Sequence, residues 1–362
     1  MSIVAEGWKA PARRLLCATM IIDDWDRLAH GVAEWARGGL RELRIDDNCW
    51  RMQVPHAAAR SFFDFFRNAP NLRLLVIHFP PFGAFDEDTS LLMRTTSFFP
   101  HLDELTVLHS RWFPDSVVAD ILAASNRRVS RLRLWSSSST SRSLSGTRLD
   151  FGGNLRYLRV EGGFSSLNSL QPVPSGLVGL EEIHVGCLDR QASNRAPELL
   201  AEVAPTLRTL TIAGGDFSGL AGSLSLLPHL TRLSLPRITA SLESFLLPPS
   251  LSTLQFASDE NLHHLLIRWT ANPSLVPASL QRIDVIGLFD RGTLELLPSV
   301  AKVGTEYDEL LVDHLRRLAP RSLPFKTLEV RFEDCHTDRA AGIEAECERL
   351  EVIFCRRIDD WI

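Results

Sequence analysis

Apolar residues recur along this chain in one short pattern, a Leu-x-x-Leu-x-(Leu/Ile/Val) triplet whose intervening positions are mostly polar. The clearest copies are Leu40, Leu43, Ile45; Leu72, Leu75, Ile77; Leu102, Leu105, Val107; Val129, Leu132, Leu134; and Leu155, Leu158, Val160. Five more follow at Leu180, Ile183, Val185; Leu207, Leu210, Ile212; Leu230, Leu233, Leu235; Leu251, Leu254, Phe256; and Leu280, Ile283, Val285. Weaker copies lie at Phe325, Leu328, Val330 and at Cys347, Leu350, Val352. Residues such as Arg41, Glu42 and Arg44, or Glu181, Glu182 and His184, separate the apolar ones. Alternation at period two predicts a short strand with one buried face in every copy.

With 45% apolar residues, isolated triplets arise by chance, so the spacing has to carry the argument. Copies start between 21 residues apart (Leu230 to Leu251) and 32 residues apart (Leu40 to Leu72), apart from one interval of 45 residues between Leu280 and Phe325. Leucine-rich repeats run to about 20–29 residues. Proline also stands just before many copies, at Pro70, Pro100, Pro205, Pro228 and Pro249. There it stops a preceding helix and biases the chain toward the extended form.

Amphipathic connectors predict helices over 56–68, 89–98, 114–126, 196–203, 261–271, 307–318 and 338–348, whereas Gly- and Ser-rich connectors such as 214–227 predict irregular turns. One strand and one connector cannot bury an apolar face alone, so such units stack. The predicted fold is α/β, a leucine-rich-repeat solenoid of about twelve repeats, with a curved parallel sheet on the inner face and helices and irregular loops outside. Residues 40–362 would form the repeats and residues 1–39 an N-terminal cap.

Composition narrows the function classes. The net charge of −5, from 39 basic and 44 acidic residues, provides no global field for nucleic acid. No apolar run is long enough for a membrane span. Cys17, Cys49, Cys187, Cys335, Cys347 and Cys355 are scattered, without a C-x-x-C pair, which points to a reducing compartment, cytoplasmic or nuclear. Cys347 is expected on an inward strand position, and no set of cysteines and histidines has zinc spacing. The glycines at 214, 215, 219 and 222 lack the lysine of a phosphate loop and predict a tight turn. Neither a catalytic constellation nor a metal or cofactor site is expected, and the chain reads as a non-enzyme.

Recognition chemistry appears instead on the strand positions that face away from the core. The third, fifth and seventh residues of the middle copies are Arg131, Arg133 and Trp135, then Tyr157, Arg159 and Glu161, then Glu182, His184 and Gly186. Neighbouring strands stand about 4.8 Å apart, so Arg133 and Arg159 are expected as lateral neighbours, with Trp135 and Tyr157 close by. Arginine and large aromatics dominate binding hot spots, and paired guanidinium groups suit a carboxylate or phosphate. Arg131, Arg133, Trp135, Tyr157, Arg159 and His184 are therefore the candidate partner-binding residues. The alternative is that Glu161 and Glu182 neutralise these arginines across the ladder. Later copies, with Thr209, Thr211, Ser234, Thr253 and Gln255, promise a bland surface.

The segment Trp8, Lys9, Ala10, Pro11, Ala12, Arg13, Arg14, Leu15, Leu16 resembles the end of an F-box where it enters the repeats of fungal F-box/leucine-rich-repeat proteins. The resemblance implies a first strand at Thr19 to Ile22 and a partial first repeat starting at Leu16. It also implies a protein–protein interaction scaffold, similar to the substrate-recognition part of an F-box subunit of a cullin–RING ubiquitin ligase. Such a scaffold would hold a protein partner on its concave face. The helices with which that family grips a Skp-type adaptor have no counterpart before Trp8, so adaptor binding is not expected of this chain. The alternatives are a ligase-independent scaffold and a sensor that holds a small anionic ligand on the central arginines.

Overall fold

A computed structural model describes residues 18–22, 39–45, 70–79, 100–109, 121–123, 125, 127–136, 151–162, 176–186, 190–215, 217, 220, 222–235, 245–257, 268–269, 271–286, 312, 316, 327–332 and 337–358. The chain divides into two compact units, Met1–Leu180 and Glu181–Ile362. The first holds parallel strands β1 (Thr19–Ile22), β2 (Glu42–Ile45), β3 (Leu74–Phe79), β4 (Glu104–His109), β5 (Arg131–Ser136) and β6 (Tyr157–Gly162), each paired with the next in chain order. The second holds β7 (Glu182–Val185), β8 (Thr209–Ile212), β9 (Arg232–Leu235), β10 (Thr253–Ala257), β11 (Arg282–Ile286), β12 (Thr327–Phe332) and β13 (Ile353–Ile358), paired in the same manner. Successive parallel strands in chain order, one per repeat, make this the leucine-rich-repeat solenoid that the apolar pattern predicts.

Register explains why the triplet recurs. In the first unit Leu43, Leu75, Leu105, Leu132 and Leu158 are consecutive lateral partners. In the second unit the same row runs Ile183, Leu210, Leu233, Leu254, Ile283. All ten are buried, as are the leading residues Leu40, Leu72, Leu102, Val129, Leu155, Leu207, Leu230, Leu251 and Leu280. A one-residue slip would turn a whole strand inside out, so the apolar rows hold the register. Each of Pro70, Pro100, Pro205, Pro228 and Pro249 sits in a turn just ahead of its strand, as expected.

A second inter-rung link is invisible in the apolar pattern. The carbonyl of the second residue of a repeat accepts two consecutive N–H groups of the next rung. Arg41 O accepts from Arg73 and Leu74, Ser130 O from Arg156 and Tyr157, and Thr231 O from Ser252 and Thr253. Where that residue is Ser or Thr, its hydroxyl donates back to the previous rung: Thr231 to Arg208 O at 3.1 Å and Ser252 to Thr231 O at 3.0 Å. These bonds satisfy backbone groups that the short strands leave over.

Three expectations need correction. Cys347 does not stand on a strand. It lies in helix α2 (Thr337–Arg349), where Ile343 and Cys347 are buried one turn apart, and Leu350 is buried just past its end. The last strand starts later, and pairing places Phe354 beside Leu328. A three-residue apolar step suits a helix as well as the head of this strand motif, and the helix claimed it. At the other end β1 forms where expected, but Thr19 pairs with Glu42, an offset one residue shorter than the spacing from Leu16 to Leu40. Finally, α1 spans Arg190–Val203 rather than starting at Ala196, and runs through Pro197.

Residues 214–227 are irregular where described, with Gly215 at φ 111° and a 3₁₀ turn at Leu224–Leu226. The helices expected over 56–68 and 89–98 lie outside the described residues. So do the N-terminal segment 1–17 and most of the helices expected over 114–126, 261–271 and 307–318. No helix among the described residues is long and apolar enough to cross a membrane.

Candidate functional site

Alternation along β5 buries Leu132 and Leu134 and turns Arg131, Arg133 and Trp135 to the other face of the sheet. On β6 it buries Leu158 and Val160 and turns Tyr157, Arg159 and Glu161 the same way. Pairing sets Arg131 beside Tyr157, Arg133 beside Arg159 and Trp135 beside Glu161. The expected arginine neighbours are therefore present. Tyr157 lies close by this pair as expected, within cation–π reach of Arg133, and Trp135 stands one solvent-facing position beyond Arg133 at the other end of the ladder.

Two guanidinium groups lie over the ring of Tyr157. The Arg131 guanidinium lies 4.7 Å from the ring centroid and that of Arg133 5.6 Å away, both within reach of the negative face of the ring. Arg159 Nη2 donates to Glu161 Oε1 at 2.7 Å. That bond raises the Arg159 pKa above its ordinary value, against the effect of burial and with a smaller contribution from Tyr157. Although it points to the sheet's solvent-facing side, Tyr157 is only 7% exposed, covered by the cations around it, while Trp135 is 40% exposed.

Glu104 on β4, lateral partner of Arg131, is the functional neighbour that sequence reasoning missed. Its carboxylate is shared, 3.7 Å from Arg131 Nε and 3.4 Å from Arg133 Nη2. It stands at the third position of its own repeat, so the repeat alignment already placed it next to Arg131. Glu161 does neutralise an arginine, though along its own strand rather than across the ladder. Glu182 does not. Its carboxylate lies 2.6 Å from His184 Nε2 on β7. Arg133 is the least satisfied member of the group, because its Nε is shielded from solvent and has no hydrogen-bond acceptor among the described residues. An unmet buried donor costs about 1–3 kcal/mol.

His184 belongs to the second unit and lines a different feature. There, β7 to β10 enclose a hollow of about 230 Å³, floored by Leu210 and Leu233 and lined by Glu182, His184, Thr209, Thr211, Ser234 and Gln255, among others. Ser234 Oγ donates to Gln255 Oε1 at 2.6 Å across its wall. Sequence reasoning took this stretch for bland surface. Its signal was the row of short hydroxyl side chains, which leaves space between the longer Glu182 and Gln255.

Nucleophilic chemistry finds little support at Cys347. Burial, with Glu346 and Glu344 adding to it, pushes the thiol up to about 12, so it stays protonated at neutral pH. Comparison of the sequence with protein-family models and with curated proteins finds no match.

Proposed function

We propose that this chain is a non-catalytic protein–protein interaction scaffold that binds its partner on its concave face, through the solvent-facing residues of β5 and β6. The observation that carries this reading is the half-exposed Trp135 standing on the same face as three arginines, two of them over a buried tyrosine and the third bonded to Glu161. Such a surface combines a rigid aromatic anchor with directional cationic donors, the residue types that supply most binding energy at interfaces. A solenoid suits this role, because it offers an extended surface whose outward residues vary without disturbing the core.

We read the biological setting, in the cytoplasm or nucleus, as similar to the substrate-recognition part of an F-box subunit. The resemblance of residues 8–16 and the repeat architecture support that reading. It is tested by co-purification from cells with the tagged full chain and with its Trp135→Ser variant. A partner retained by the first and lost from the second is the expected result, and a partner set unchanged by the variant discards this face. Recovery of a Skp-type adaptor in the same experiment distinguishes a ligase role from ligase-independent binding.

The second reading, a sensor of a small anion, has Arg133 Nε behind it, which meets no acceptor among the described residues. It predicts that inositol hexakisphosphate raises the unfolding temperature of the purified chain by mass action. No shift at millimolar ligand removes it.

A further inference from the structure

In the contacts among the described residues, the arginine cluster holds more guanidinium groups than carboxylates. Arg131, Arg133 and Arg159 meet two carboxylates, Glu104 and Glu161, in the contacts described. Arg159 is well served by its 2.7 Å bond to Glu161. Arg131 and Arg133 divide Glu104 between them at 3.7 and 3.4 Å, and neither contact is the two-bond fork that a guanidinium prefers. Arg133 Nε has no acceptor among the described residues. The free protein thus holds Arg133 in a posture that a second carboxylate would improve.

We propose that Arg133 and Arg159 are the receptor for a carboxylate carried by an acidic segment of the partner protein, and that Glu104 is a resident substitute for it. This rests on the scaffold reading and adds the chemistry of what is held. Arg133 and Arg159 are paired in register, one strand step apart, so the two oxygens of a single carboxylate can be shared between them. The incoming group draws Arg133 off Glu104 and turns Nε toward an acceptor, while Glu104 remains with Arg131. Glu104 and the partner therefore compete for one guanidinium. Trp135, one outward position beyond Arg133 on the same strand, lies where an apolar residue flanking the acid would pack.

The test uses the purified full chain and a fluorescein-labelled peptide, acetyl-(Gly-Glu)₃-amide, read by fluorescence anisotropy beside its glutamine and phosphoserine counterparts. The glutamate peptide is expected to bind at least about tenfold more tightly than the glutamine peptide, and Arg133→Ala to weaken it by a similar factor, as loss of a central anchor does. Glu104→Gln is expected to tighten binding by about two- to fivefold, the worth of an exposed ion pair. Glu104→Asp, which shortens the reach to Arg133, should act in the same direction if the glutamine variant folds poorly.

Glu42→Gln removes one carboxylate from β2 on the same face and should change nothing, separating competition for Arg133 from a general gain in charge. Unchanged or weaker binding after both Glu104 substitutions overturns the proposal, and so does equal tightening by Glu42→Gln. Stronger binding of the phosphoserine peptide, or displacement of the glutamate peptide by millimolar inorganic phosphate, overturns the carboxylate assignment. Failure here with a Trp135-dependent partner in cells removes this inference and leaves the scaffold reading standing.

Discussion

Leu132 and Leu210 occupy equivalent places in their rungs, each buried between apolar lateral partners, yet the residues on either side of them meet solvent with opposite chemistry. Around Leu132 stand Arg131 and Arg133, long cations stacked on Tyr157 and held by the one shared carboxylate of Glu104. Around Leu210 stand Thr209 and Thr211, too short to cover the surface, so that a hollow of about 230 Å³ opens above the strand backbone. The interior demands one residue type per rung because the stack must stay in register. The solvent-facing side has no such demand, and it is there that one unit has gathered charge and the other hydroxyl groups.

The comparison can be broken most directly through the shared interior. Leu132→Ala and Leu210→Ala should each lower unfolding free energy by about 2–5 kcal/mol, the usual cost of an emptied core position. Urea denaturation measures both, and a cost below about 1 kcal/mol for either would show that the two interiors are not equivalent. On the solvent-facing sides the magnitudes should differ. Ser234→Ala, which removes the 2.6 Å bond to Gln255, should cost about 0.5–1.5 kcal/mol by the same measurement.

Arg133→Met should cost less than about 0.5 kcal/mol, because removing an unmet buried donor offsets the loss of a loose ion pair and a cation–π contact. A stability loss as large as that of Ser234→Ala would make Arg133 a structural residue rather than one held ready for a partner. The smallest effect concerns acid. The Glu346 carboxylate is held below its ordinary pKa, chiefly by the hydrogen bond from Arg349, with Arg316 adding to it. A lowered carboxylate pKa contributes stability that is complete above the unfolded value and fades as pH falls through the folded one. Glu346→Gln should accordingly lower neutral stability slightly and flatten the acid side of the profile below about pH 4.5, where variant and parent converge, as followed by thermal unfolding.

The candidate site was partly legible before any coordinates. Alternation put Arg131, Arg133 and Trp135 on one face, and repeat alignment set Arg133 beside Arg159, because both follow from the period and register of a strand. Glu104 sat in the same alignment but went unread, since identity at a position does not say which of several cations a flexible carboxylate will reach. The pairing of Glu182 was misjudged for that reason, as the side chain turned to His184 on its own strand. Cys347 failed differently. A step of three apolar residues belongs to two kinds of secondary structure, and only helix packing between 337 and 349 decided between them.

The residues of this chain, taken alone, determined that it stacks one strand per repeat and which side chains lie inside, because burying apolar area at period two leaves one solution over so many copies. They also determined which residues face outward. What those residues do to one another was decided in three dimensions: the stacking of Arg131 and Arg133 on Tyr157, the sharing of Glu104, the Nε of Arg133 without an acceptor among the described residues and the hollow over Leu210. Burial is a property of a pattern and survives any choice of rotamer. Electrostatic contact is a property of ångström distances between side-chain ends, and it exists only once the rungs are assembled.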